Sequence, residues 1–156
     1  MGFLMDLIAG RSRDIRLALG LDDWAGLDDP ERFPAHLALG GAMDPTWLDL
    51  FSEAVRSVTG SDEPTDFIDA RGDLDGPGEV GERTLERIDP AWISALARLP
   101  DSSVDAIAGR WIDLVEEELG DLPREEKPWI RDLAGHIVAF ARKAEASPAV
   151  ILAWSL

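Results

Sequence analysis

The sequence predicts an α+β domain in which a small mixed sheet, built from N-terminal, mid-chain and C-terminal strands, is covered by four to five helices. Several segments carry apolar residues at the three- and four-residue spacing of an amphipathic helix. Short apolar runs near the two ends of the chain are typical of buried strands. The length of 156 residues is that of one domain, so we predict a single domain over residues 1–156.

The first part of the chain alternates short elements with a loop. We predict a strand over residues 3–8 and a helix over residues 12–19, which is capped by a serine and stopped by a glycine. Residues 21–34 (LDDWAGLDDPERFP) are acidic and rich in turn formers, and they predict a loop with one helical turn. A short apolar piece follows over residues 36–39.

Four longer helices follow. The helices over residues 45–58 and 90–99 both begin after Asp-Pro, which places an N-cap before a proline at the first helical position. The next helix covers residues 101–119. The last covers residues 124–146 and is expected to kink or restart at Pro128.

Three further segments are predicted to be strands. Residues 66–70 and 82–88 are the mid-chain strands. Residues 149–156 (AVILAWSL) are apolar and rich in strand formers, which is typical of a central strand that is buried on both faces.

Composition excludes several classes of function. The chain has no cysteine, which excludes disulfides and thiolate metal sites within it. Its 31 acidic and 15 basic residues give a net charge of −16, which disfavours nucleic acid and anionic membranes as partners. Solubility alone explains this charge, and an acidic surface matched to a basic protein partner is the alternative explanation. The start lacks the features of a signal peptide, so we expect a soluble cytoplasmic protein.

The chain has no asparagine, glutamine or tyrosine, and it has two lysines against thirteen arginines. This composition is typical of a bacterial protein from a high-GC genome. The sequence leaves the oligomeric state open.

One acidic segment resembles a calcium loop. Asp73, Asp75 and Glu82 match three ligand positions of an EF-hand, but Arg71 occupies the first ligand position. An acidic, glycine-rich turn explains the same residues. We therefore predict no cofactor and keep these three carboxylates as a weak candidate for a metal site.

Three other residues are candidates for binding. Asp132 and His136 are four residues apart on the last predicted helix, so their side chains can share a hydrogen bond. The same pair also fits an ordinary half-buried histidine. Trp24 lies in the acidic loop and is the best candidate for an exposed contact residue, while His36 has no comparable sequence neighbourhood.

No motif for nucleophilic catalysis or phosphate binding is present, and we assign no catalytic residue. The leading hypothesis is a non-enzymatic protein that binds another macromolecule, with an immunity- or antitoxin-like role as one example. The alternative is a small-molecule-binding protein or a modest hydrolase with a site near His136.

The order of elements resembles the YfbM-like family of uncharacterised bacterial proteins. The stretches that carry the resemblance are Met1-Gly2, the strand-to-helix junction Glu86-Arg87-Ile88-Asp89-Pro90, Phe140-Ala141-Arg142-Lys143-Ala144 and Val150-Ile151-Leu152-Ala153-Trp154. The resemblance implies an α+β fold and no established activity, so it contributes no site residue.

Overall fold

The structure is a computed structural model that describes residues 4–40, 43–74 and 78–155. In it, a six-stranded sheet lies between two layers of helices. The strands are β1 (Leu4–Gly10), β2 (Ala35–Ala38), β3 (Arg71–Gly72), β4 (Glu79–Val80), β5 (Arg83–Ile88) and β6 (Ala149–Ser155). The helices in these residues are α1 (Ser12–Gly20), α2 (Trp24–Leu27), α3 (Pro45–Thr59), α4 (Phe67–Ala70), α5 (Pro90–Ala97), α6 (Asp101–Leu119) and α7 (Lys127–Ala144), the last preceded by a 3-10 turn (Arg124–Glu126). The predicted α+β class is confirmed.

The strand order is β2-β1-β6-β5-β3, and β4 pairs with the other end of β5. Every pairing among the described strands is antiparallel, so the sheet differs from the mixed sheet that the sequence suggested. The last strand, β6, lies between β1 and β5. Its residues 149–153 are buried on both faces, as predicted, residues 154 and 155 are half-buried, and residue 156 lies outside the described residues.

The larger core lies between one face of the sheet and helices α3, α5, α6 and α7. Met5 and Leu7 of β1 point into this core. Its centre is Trp111 of α6, which is fully buried and packs edge-to-face on Phe51, with 4.9 Å between the ring centroids. The Nε1–H of Trp111 donates to the backbone carbonyl of Trp47 at 2.8 Å, so the ring is satisfied as well as buried.

The smaller core lies on the opposite face, under α1, α2 and the loop that follows. Ile8, Leu85 and Ile151 of the sheet pack there against Ile15 and Leu27 of the helices. Because side chains alternate along a strand, the even-numbered residues of β1 belong to this face. The functional candidates described below lie at the margin of this smaller core.

The predicted strand over residues 66–70 is wrong, because residues 67–70 form the short helix α4. The carboxylate of Asp49 accepts a hydrogen bond from the Ile68 N–H at 2.7 Å, which satisfies a free donor in the first turn. Phe67 and Ala70 are buried while Ile68 is exposed, which is a helical spacing that four residues are too few to reveal. The predicted helical turn in the loop 21–34 is present as α2.

Among the helices of residues 4–40, 43–74 and 78–155, none has the length and apolarity that crossing a membrane requires.

The buried hydroxyl of Ser52 offers a test of the larger core. It accepts a hydrogen bond from Trp92 Nε1–H at 2.9 Å and donates one to the Leu48 carbonyl at 2.9 Å. Ser52→Ala leaves the buried indole N–H without a partner, so we expect the free energy of unfolding to fall by about 1–3 kcal/mol. Urea denaturation measures this. Ser57→Ala, an exposed site on the same helix, is the control, and an equal loss in both variants contradicts the assignment.

Candidate functional site

The sequence-predicted binding residues are scattered over the surface. Trp24 is the first residue of α2 and is 37% exposed, in agreement with the expectation of an exposed ring. Asp132 and His136 are both exposed on α7, and within the described chain no hydrogen bond joins them. The predicted Asp132–His136 contact is therefore absent, because both side chains point to solvent, where water competes for the bond.

The calcium-loop hypothesis receives no support from the described residues. Asp73 and Glu82 are exposed, and Asp75 lies outside the described residues. Within the parts of the chain that are described, no group of three or more histidine or carboxylate side chains is placed to hold a metal ion.

A cluster of polar side chains does converge at the margin of the smaller core, and we call it the Asp6 cluster. Its members are Asp6 of β1, Trp24 of α2, Asp28 just after α2, His36 of β2 and Arg83 of β5. The carboxylate of Asp6 is its centre, because only 9% of that side chain is exposed. A buried carboxylate is costly unless charged or hydrogen-bonding partners surround it.

His36 joins two carboxylates. Its Nε2 lies 3.1 Å from Asp6 Oδ1, and its Nδ1 lies 2.7 Å from Asp28 Oδ1. The hydrogen bond to Asp6 raises the pKa of His36 above its ordinary value, burial opposes this, and the hydrogen bond to Asp28 adds to it. Carboxylates only accept hydrogen bonds, so this geometry calls for an imidazolium that donates from both nitrogens. Such a ring has no free lone pair with which to act as a general base.

Arg83 lies on β5, on the other side of β6 from Asp6, and its side chain contacts both Asp6 and Trp24. Its Nη1 lies 3.5 Å from Asp6 Oδ2, and its guanidinium carbon lies 4.2 Å from the centroid of the Trp24 ring. Strand β6 separates β1 from β5, and the residue opposite Asp6 in β6 is Ala153. A side chain as small as alanine at that point leaves room for the guanidinium to reach across.

The turn that presents Trp24 is fixed by its own capping contacts. Asp23 caps α2 by accepting the Gly26 N–H at 3.1 Å, and it also accepts a hydrogen bond from Arg32 Nη1 at 2.9 Å. The contact with Arg32 holds the pKa of Asp23 below its ordinary value. A Cβ at residue 26 would lie 2.3 Å from Asp23 Oδ2, so a larger residue there would displace the Asp23 carboxylate from these contacts.

A pocket of about 170 Å³ lies along the outer edge of β2, where α7 passes. Its lining includes both histidines of the chain, His36 and His136, together with Lys143, and Asp132 is not part of it. The structure thus brings together two histidines that are 100 residues apart in the sequence (136 − 36). Sequence reasoning had weighed them separately.

A wider depression of about 720 Å³ lies beside β4 and β5, and its wall carries Asp73, Glu79 and Glu86. Glu86 is already paired, because it accepts a hydrogen bond from Arg71 Nη2 at 2.8 Å and another from Trp154 Nε1–H at 3.1 Å. The contact with Arg71 lowers the pKa of Glu86. The depression is therefore an acidic surface, and its least exposed carboxylate, that of Glu86, is already paired within the protein.

Sequence reasoning missed Asp6 and Arg83 as site residues and gave His36 little weight. The one available signal was Asp6 itself, a charged residue inside an otherwise apolar predicted strand. Its partners lie 30 and 77 residues away along the chain, so no local pattern could point to them.

The central position of Asp6 leads to a stability prediction. In Asp6→Ala, the charges of His36 and Arg83 lose their buried counter-ion, so we expect the free energy of unfolding to fall by about 3 kcal/mol. Urea denaturation at neutral pH measures the change. The control is Asp113→Ala on the exposed side of α6. If the two variants lose the same stability, Asp6 is not the centre of the cluster.

No protein-family model, curated protein or solved structure significantly matches this chain.

Proposed function

We propose that the protein is a non-enzymatic interaction protein that binds a basic protein partner through the surface around Trp24. The observation that carries this proposal is an exposed tryptophan whose inner face rests on a half-buried arginine, which is in turn ion-paired to the buried Asp6. An aromatic ring that is both exposed and held in place is typical of the residues that dominate binding energy at protein interfaces.

Two leucines that precede Trp24 in the chain are also exposed. Leu17 of α1 and Leu21, the residue after α1, precede Trp24 in the chain and are 56% and 70% exposed. We propose that these three residues form one surface with Asp22 and Asp28, and we call it the Trp24 surface. Exposed large apolar side chains that occur together are more typical of a binding surface than single ones.

The charge around this surface favours a basic partner. Residues 21–31 contain five acidic residues and no basic one, within a chain of net charge −16. Opposite charge on the partner accelerates association and fixes its orientation. The same negative potential argues against nucleic acid and anionic membranes as partners.

The stacking of Arg83 on Trp24 also influences which side chains of a partner can pack on the exposed face of the Trp24 ring. A cation on the inner face of Trp24 draws on the electron density that a second cation would need on the outer face. The outer face is therefore better suited to an aliphatic or aromatic side chain. Basic side chains of the partner are better placed against the exposed carboxylates of Asp22 and Asp28.

A second candidate function is the binding of a small molecule, and the pocket beside His36 and His136 favours it. Its volume of about 170 Å³ is below the usual range of pockets for drug-sized ligands, so only a ligand of a few heavy atoms fits. Hydrolysis by His36 is disfavoured, because both of its ring nitrogens are engaged by carboxylates. A ligand-observed NMR screen of small fragments, repeated on His136→Ala, tests this candidate.

We also propose, from the sequence, that the protein is cytoplasmic and bacterial and that it is related to the YfbM-like family. The described order of elements, with β5 leading directly into α5, fits the layout on which the resemblance rests.

The interaction hypothesis predicts that Trp24→Ala weakens binding by about 30-fold or more, as expected for a central interface residue. Wild-type protein and variant are immobilised and exposed to lysate of the source organism. Each captured protein is then purified, and its dissociation constant is measured by calorimetry at two salt concentrations. We expect a basic partner whose affinity falls as salt rises.

Trp129→Ala is the matched control, because Trp129 is a similarly exposed tryptophan on α7. It should leave the dissociation constant within about threefold of the wild-type value, as for most interface-remote positions. A partner that binds Trp24→Ala as tightly as wild type would remove the Trp24 surface from the proposal.

A further inference from the structure

We propose that His36 is a proton-operated latch that holds the segment carrying Trp24 against the sheet when it is protonated and releases Asp28 when it is neutral. The latch is a property of the free protein. Its consequence for partner binding rests on the function proposed above.

The first step is the count of donors. The ring of His36 meets a carboxylate oxygen at each nitrogen, at 3.1 Å and 2.7 Å. A neutral imidazole has one N–H and one lone pair, so it can satisfy only one of these oxygens and repels the other. The described geometry therefore belongs to the protonated ring, and loss of the proton must break one contact.

The second step decides which contact breaks. The Asp6 side chain is 9% exposed, so water cannot replace a lost partner there. The Asp28 side chain is 73% exposed, so water can solvate it as soon as the ring lets go. The neutral ring therefore keeps its N–H on Asp6 and turns its lone pair toward Asp28, which moves away.

The third step connects Asp28 to Trp24. Asp28 is the residue at which α2 ends, and α2 spans only Trp24–Leu27. Once Asp28 is free, α2 is held by the buried side chain of Leu27, by the Asp23–Arg32 contact and by the stacking of Trp24 on Arg83. A four-residue helix has little stability of its own, so the loss of one anchor increases the motion of the ring.

Other charged groups also face His36. Arg83 contacts Asp6, and Lys143 lines the pocket beside His36. His136 lies on the same pocket wall and is the only other titratable imidazole of the chain. The contacts with the two carboxylates outweigh burial, so the pKa of His36 lies above 6.5 and the latch opens as pH rises through that raised value.

The sign of the effect on stability follows from the same shift. The folded protein binds the proton more tightly than the unfolded chain, so protonated His36 stabilises the fold. This contribution is complete below the ordinary pKa of 6.5 and disappears as pH rises through the raised pKa of the folded state.

The experiment is an NMR titration of the free protein from about pH 5 to about pH 9, which brackets the titration of histidine. The ring proton of His36, assigned with the help of His136→Ala, should titrate above 6.5. The indole N–H signal of Trp24 should shift with the same midpoint, and that of Trp129 should not follow it. A Trp24 signal that stays constant through the titration of His36 overturns the latch.

Asp28→Asn and Asp22→Asn are the paired variants. Asp28→Asn should lower the pKa of His36 and remove the pH dependence of the Trp24 signal, whereas Asp22→Asn should leave both as in wild type. Asp22 has a left-handed φ of 52°, which asparagine also tolerates, so the control should fold normally. An unchanged pKa of His36 in Asp28→Asn also overturns the proposal.

His36→Gln provides a second measurement that needs no titration of the ring. Glutamine offers donors to Asp6 and carries no charge at any pH. Its Trp24 signal should be constant with pH and match that of wild type at high pH. All of these readouts come from the free protein, so the latch can hold even if Trp24→Ala leaves partner binding unchanged, and it can fail while the Trp24 surface still binds.

Discussion

The packing at the margin of the smaller core depends on how the charge of the buried Asp6 carboxylate is neutralised. Met5 and Leu7 point into the larger core, and the alternation of a strand then directs Asp6 to the opposite face. A lone buried carboxylate would cost several kcal/mol, on the order of the whole stability of a domain. Two cationic groups from two other strands surround it instead, and these in turn position the loop residues Asp28 and Trp24.

The opposite face carries a second cluster of similar composition with a different chemical character. There Glu86 is paired with Arg71 and accepts a hydrogen bond from Trp154, and the Arg71 guanidinium also lies 5.9 Å from the Trp154 ring. Each cluster thus combines a carboxylate, an arginine and a tryptophan. The Asp6 cluster adds a histidine, whose charge responds to pH near neutrality, whereas the Glu86 cluster has no such group.

The sequence was sufficient for most of the fold, because its signals are local. Asp-Pro starts predict α3 and α5, glycines mark helix ends, and the apolar run after Pro148 predicts β6. The strand expected over residues 66–70 was wrong, because its helical form is stabilised by Asp49 from a different helix. Local pattern has no access to such a contact.

The candidate site was less predictable than the fold for a related reason. The exposure of Trp24 was predicted correctly, because an aromatic residue in an acidic loop is a local signal. The Asp6 cluster was not found, because it is assembled from four separate segments that only the sheet order brings together. The reach of Arg83 to Asp6 further requires a small residue at position 153, and nothing in the sequence around Ala153 indicates that role.

The central place of β6 has a kinetic consequence. It follows every other described element in the chain, yet the backbone pairing of the sheet connects β1 to β5 only through it. Without β6, the pairing of β1 with β2 and that of β5 with its short neighbours are two separate pieces of the sheet, each with an unpaired edge. Such late, long-range strand pairing slows folding and prolongs the time during which nascent chains can aggregate. A net charge of −16 opposes the association of such chains, because like-charged chains repel one another.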